Sequence, residues 1–236
     1  GSRNRRQRGI GNITLWSTTK QRANHGRNTG RNVTASRSGS WNVKGTSANT
    51  ILINEVNDAQ GVLNAATTAH TNATTALTAA TNALYENDDP SSGTLLGQTA
   101  ITSLNGAIGT LTGELNGLSL SDQSAIDARD NIVSNLGNIT TLTSTDYDPL
   151  DANATLTPAD IKAVNTAFLA EVSARDTLYS TYTISAGTDF KSTTDAATLA
   201  VTRGETYDAA VITKANTAAA QAAANTALAA AQAAVY

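Results

Sequence analysis

The sequence predicts an all-α fold, an antiparallel bundle of about five helices preceded by an extended basic arm. Three observations predict it. Apolar residues recur at three- and four-residue steps through most of residues 50–235, which is the helical period. Proline, glycine and paired aspartates punctuate the chain between those stretches. Charge is divided by position: residues 1–44 hold ten Lys or Arg and no Asp or Glu, whereas residues 45–236 hold six against nineteen carboxylates, a net charge of −13. The domain reading follows as an arm over 1–47 and an Ala-, Thr- and Asn-rich helical body over 48–236.

In the arm, Arg3, Arg5, Arg6 and Arg8 are followed by Lys20, Arg22, Arg27, Arg31, Arg37 and Lys44, interleaved with Gly, Asn, Ser and Thr. No helical period fits these residues, and like-charge repulsion opposes a compact state, so the arm is expected to be extended or disordered by itself. It also carries both tryptophans, Trp16 and Trp41, among Ile10, Ile13, Leu15, Val33 and Val43. A tryptophan buries a large area at low rotamer cost, which suits an anchor in a partner's groove. Three readings compete: arginines lacing across acidic surfaces of neighbouring subunits, arginines neutralising nucleic-acid phosphates, and a solvated tail. The interleaved tryptophans favour lacing.

The first helix is expected over 50–87, with an unbroken heptad of Leu52, Val56, Ala59, Leu63, Ala66, His70, Ala73, Leu77, Ala80 and Leu84. Alanine at every second seam position lets a partner helix approach closely. His70 reads as a partly buried residue with a hydrogen-bond partner rather than a ligand, and Asp88, Asp89 and Pro90 end the helix. The second helix, 94–118, has the clearest seam: Ile101, Leu104, Ile108, Leu111, Leu115 and Leu118. Gly109, Gly113 and Gly117 recur every four residues on the other side, each costing about 1 kcal/mol against alanine. That handicap implies close packing on the glycine side, within the bundle or between subunits.

Ser121 is the expected N-cap of a third helix over 121–142, with Ala125, Ile132, Leu136 and Ile139 on its stripe. In the 143–157 linker, Asp146, Asp148 and Asp151 surround Pro149 without the ligand order of a calcium loop, so turn and cap chemistry explains them. Thr157, Pro158 and Asp160 form a strong start for a fourth helix over 158–180, whose inward face is Ile161, Val164, Phe168, Val172, Arg175 and Leu178 or Tyr179. A fifth helix is expected over 189–235, weakened midway by Gly204 and ending in an alanine-rich tail that must pack close to a neighbour.

Cysteine and methionine are absent. The first excludes disulfides, thiolate metal sites and a cysteine nucleophile. The second implies either a removed leader or precursor segment, or a cloning remnant at Gly1 and Ser2. No apolar run reaches the roughly 18–20 residues of a membrane span. No phosphate loop, dinucleotide fingerprint, paired-histidine metal motif or nucleophile elbow occurs. The expectation is therefore a non-enzyme with no cofactor and no metal. Five Asn-X-Ser/Thr triplets match what chance gives in so Asn- and Thr-rich a chain.

A basic arm ahead of a helical body resembles virion structural proteins, minor capsid or cement proteins whose arms run beneath or between capsomers. That resemblance implies a virion location and other structural subunits as partners. A second resemblance is to extracellular filament or surface-layer subunits such as flagellins, which share the Cys-free, aromatic-poor, Asn-, Thr- and Ala-rich helices. Those assemble through helices at both ends, whereas this N-terminus is expected not to be helical. A nucleic-acid-binding packaging protein is the third alternative.

Overall fold

The computed structural model describes residues 30–235, with side chains described from residue 49 onward. The chain forms α1 (Gly30–Asn82), α2 (Leu96–Asn116), α3 (Gln123–Gly137), α4 (Pro158–Thr181) and α5 (Lys191–Val235). Among the described residues there is no strand, only one isolated antiparallel bridge, Tyr85 to Leu95. The all-α fold class is therefore what the structure shows.

Three helices keep the expected limits to within two residues, and two do not. α1 begins at Gly30 rather than at 50. A helix nucleated on the seam extends without a second nucleation cost, and no proline lies between Gly30 and Asn82 to stop it. Arm residues 1–29 lie outside the described residues. α1 also ends at Asn82, before the expected stop at Asp88. The chain then turns through Asn87 and Asp88, both at a φ of 57°, and Leu84 O accepts from Leu96 N at 2.9 Å. The helix end lacks a basic residue of its own, and Arg203 of α5 supplies one by donating to Ala83 O at 2.9 Å while pairing with Asp88.

α3 is the other departure. Its N-cap is Asp122, not Ser121, because the Asp122 carboxylate accepts from Ser124 N at 2.8 Å and Ala125 N at 3.2 Å. It ends at Gly137, so Ile139 and Leu142 reach the core from a loop, where Asn105 Nδ2 donates to Leu142 O at 2.8 Å. By contrast, α4 opens as expected: the Asp160 carboxylate accepts from Thr157 N at 2.8 Å and Pro158 stands at the first turn.

The described residues fall into two compact units, 30–70 with 217–235, and Thr71–Asn216. In the first, α1 and α5 run antiparallel: His70 Nδ1 lies 3.3 Å from Thr217 Oγ1, and one turn earlier Thr67 Oγ1 accepts from Gln221 Nε2 at 3.0 Å. Leu52, Val56, Ala59, Leu63, Ala66 and His70 are each half-buried, so the heptad seam is real, but Ala224 is the only described residue of this unit that is fully buried.

The second unit holds the main core. Ile101, Leu104, Leu111 and Leu115 of α2 meet Ile132 and Leu136 of α3, Ile161, Phe168 and Leu178 of α4, and Ala197 and Val201 of α5. Lys162 pairs with Glu205 and Asn165 with Thr194 and Thr198, so α4 and α5 are antiparallel. Both aromatic rings nearest the centre, Phe168 and Phe190, meet edge to face at 5.2 Å and 81°. Threonine is a mediocre helix former, yet its hydroxyls here donate to the carbonyl four residues earlier, as at Thr78, Thr81, Thr112, Thr166 and Thr206. Each hydroxyl is thereby satisfied without leaving the helix.

Tyr147, from the 143–157 linker, is 1% exposed and fills a slot between helices. A β-carbon at Gly97 of α2 would collide with its ring, and one at Gly204 of α5 with its hydroxyl and with Pro158. Gly204 is therefore the place where α5 admits a neighbour. The Tyr147 hydroxyl has no hydrogen-bond partner among the described residues, and burial, aided by Asp208 and Asp148, pushes it up to about 12. Two outcomes are expected in urea unfolding. Gly97→Ala and Gly204→Ala each destabilise by about 1–3 kcal/mol, although the same change in an open helix stabilises. Tyr147→Phe is neutral or stabilising by up to about 1 kcal/mol, since it removes a buried hydroxyl without a partner.

Candidate functional site

The sequence places its partner-binding residues in the arm, and the structure leaves them undescribed. Arg3, Arg5, Arg6, Arg8, Trp16, Arg22 and Arg27 lie outside the described residues, and Arg31, Arg37 and Trp41 lie in α1 where only the backbone is described. The helix-packing set on α2 is described in full. Ile101, Leu104, Leu111 and Leu115 are buried, and Ile108 packs half-buried against them. The glycine side is different: among the described residues a β-carbon at Gly106, Gly109 or Gly113 would meet nothing, and one at Gly117 only carbonyls of its own helix at ordinary distance. No described residue of the chain packs against the glycines, so close packing within the described bundle, one of the two expectations, is not found. All four are exposed.

A polar cluster that sequence reasoning did not single out lies where α2, α4 and the loop before α5 meet. Glu114 is the one charged residue of α2. Its carboxylate accepts from Arg175 Nη1 at 3.0 Å, Tyr179 Oη at 2.7 Å and Thr188 N at 2.9 Å. Arg175, 4% exposed, also donates to Thr188 O at 3.0 Å and to Asp176 at 2.8 Å, and its guanidinium lies 5.5 Å from the ring centres of Tyr179 and Phe190. A signal was available: an arginine on the inward stripe of α4 needs a carboxylate, and α2 offers a single one.

The electrostatics follow from that geometry. Burial alone would raise the Glu114 carboxyl, but the Thr188, Tyr179 and Arg175 hydrogen bonds outweigh it and bring it down to about 2. Burial, then the bond to Glu114, pushes the Tyr179 phenol up. Arg175 Nε and Nη1, Tyr179 Oη and both Glu114 oxygens are engaged, and a β-carbon at Gly187 would strike Glu114 and Arg175. The arrangement fastens the loop at Thr188 to α2 and α4.

One open groove stands beside the core. It encloses about 420 Å³ between α4 and the end of α3 with its following loop. Leu142 and Val164, both buried, form its floor with Ile139 and Ala167, while Asp160 and Glu171 stand at its two ends along α4. Alanines on this side of α4 make the concavity, because no side chain extends to fill it. Glu171 is half-buried and makes no ion pair among the described residues.

The linker aspartates serve turns: Asp148 accepts from Leu150 N and Asp151 from Asn153 N, both at 2.9 Å. Among the described residues no three His, Cys, Asp or Glu gather to hold a metal, and no helix is long and apolar enough to cross a membrane.

Glu114 gives this region a pH signature. Because its folded-state value, about 2, lies below the usual 4.5, its contribution is complete above about pH 4.5 and is lost as pH falls toward 2. The stability gap between wild type and Glu114→Gln should therefore be about 3 kcal/mol at pH 7 and close as pH approaches 2 in denaturant titrations. Comparison of the chain with protein-family models, with curated proteins and with solved structures returns no match.

Proposed function

We propose that this chain is a non-enzymatic structural subunit, a minor capsid or cement protein of a virion shell, whose basic N-terminal segment laces neighbouring subunits. The division of charge carries this reading. Residues 1–44 hold ten cations and no carboxylate, and residues 45–236 carry a net −13. Within the body five of the six cations, Arg129, Lys162, Arg175, Lys191 and Arg203, each pair with a carboxylate of the same chain. The negative excess is left for a partner, and the arm has the opposite sign and two tryptophan anchors. The strongly perturbed groups, Glu114, Tyr179 and Tyr147, are held in packing rather than in an accessible reaction site, which supports a role without catalysis.

One observation favours the filament or surface-layer reading. Subunits of that kind assemble through helices at both ends, and here α1 starts at Gly30 while α5 runs to Val235, the two pairing antiparallel. Electron microscopy of the purified chain separates the readings: fibres formed without another protein favour the filament, whereas a small oligomer that binds only a preformed shell favours cement.

In the lacing reading, Trp16→Ala or Trp41→Ala weakens assembly far more than raising salt from about 50 to 200 mM; nucleic-acid binding by ten cations reverses that order. Both are read by sedimentation. Gly109→Ala and Gly113→Ala should each raise chain stability by about 0.5–1 kcal/mol, as both positions face open space. If the glycine side of α2 is a contact between subunits, the same variants lower assembly.

A further inference from the structure

We infer that the groove between α3 and α4 is the receptor for the N-terminal segment of a second copy of this chain, with Trp16 on its apolar floor and flanking arginines on Asp160 and Glu171. This rests on the lacing reading above and names its contact. Three features argue for it. The groove joins an apolar floor of Leu142, Val164, Ile139 and Ala167 to a carboxylate at each end, so it is built for an apolar residue with cations on both sides. Residues 1–29 have that pattern: Arg3, Arg5, Arg6 and Arg8 before Trp16, then Lys20, Arg22 and Arg27 after it, with no acid. Finally, Glu171 is half-buried and pairs with no cation among the described residues, so its carboxylate is open to a guanidinium from outside.

Reach and volume agree. From Gly30 back to Trp16 an extended chain spans at most about 50 Å, enough to leave its own subunit. A volume of about 420 Å³ lies within the range of sites that enclose a bulky apolar group. Asn135 and Asn138, also lining the groove, offer side-chain amides to the backbone of an extended segment, as such segments require. The polar cluster at Arg175 is a poorer receptor, since its charges are already matched within the chain.

The test uses the full chain, carrying a photoreactive benzophenone amino acid at position 16, assembled from equal parts of ¹⁴N- and ¹⁵N-labelled protein and read by mass spectrometry. The expected result is mixed-isotope cross-links to peptides from residues 135–142 and 160–171. Glu171→Lys should reduce them at least about fivefold, with helicity by circular dichroism unchanged. Ala167→Phe, which fills the groove without altering charge, should reduce them similarly and serves as the reading if Glu171→Lys fails to fold. Mixed-isotope cross-links elsewhere on the body, or cross-links that neither variant diminishes, overturn the groove but leave lacing standing. Single-isotope cross-links alone, cross-links to nucleic acid, or none in an assembled sample overturn both.

Discussion

A scarcity of bulk constrains everything else in this protein. With two Phe, six Tyr and two Trp in 236 residues, its helices cannot be spaced by large side chains and must approach closely on small ones. Where the chain has a large ring to bury, it makes room by removing side chains on both sides. Tyr147 enters the core because Gly97 and Gly204 present bare backbone to it, and the two glycines come from different helices. The ring gains a close fit, and its hydroxyl is buried without a partner as the consequence. The same economy of size appears in the α1 and α5 pair, where alanine alternates with leucine or valine along the seam and most seam residues stay half-buried. Such a pair removes little apolar area from water per turn, so its stability depends on regular repetition.

The buried charge at Glu114 follows from the same scarcity. The nine-residue loop between α4 and α5, residues 182–190, has few apolar side chains with which to dock, Tyr182, Ile184 and Phe190 being the largest. Its backbone is held instead by a charge-assisted bond from Thr188 N to Glu114 and by Thr188 O accepting from Arg175. An isolated ion pair at the surface would contribute little. This one is worth more because the Arg175 guanidinium lies 5.5 Å from the ring centres of both Tyr179 and Phe190 and Glu114 accepts from three donors, so neither charge is left unmatched. Phe190 then seats against Phe168, and α5 starts from a fixed point.

Periodicity made most of the helices legible in the sequence, and cap chemistry placed the best of their ends. The heptad from Leu52 to Leu84 and the inward face of α4 from Ile161 to Tyr179 were readable because burial and the helical period coincide there. The N-terminus of α4 was readable because Thr157, Pro158 and Asp160 act within one turn. What was not legible depends on contacts distant in sequence. Leu142 fits the α3 stripe by spacing, yet it reaches the core from a loop fastened by Asn105. Gly204 looked like a defect in a helix until Tyr147 and Pro158 were seen against it. The glycines of α2 looked like a packing surface, but no described residue covers them, since the loss of a side chain records that space is needed without saying by whom.

That last distinction bears on function. Glycines retained against their cost on an exposed helix face, a half-buried Glu171 that pairs with no cation among the described residues, and a seam that leaves Ile53 and Val62 more than half exposed are all incomplete as features of a solitary chain. Each taken singly is ordinary on a protein surface. They acquire a common cause when set beside the charge division, because the body engages five of its six cations in its own ion pairs while the arm holds ten more and no acid of its own. A chain so arranged has a lower electrostatic energy when the basic part of one copy lies against the acidic part of another than when the copies stay apart. In the lacing we propose, arms that cross between bodies would satisfy both halves at once.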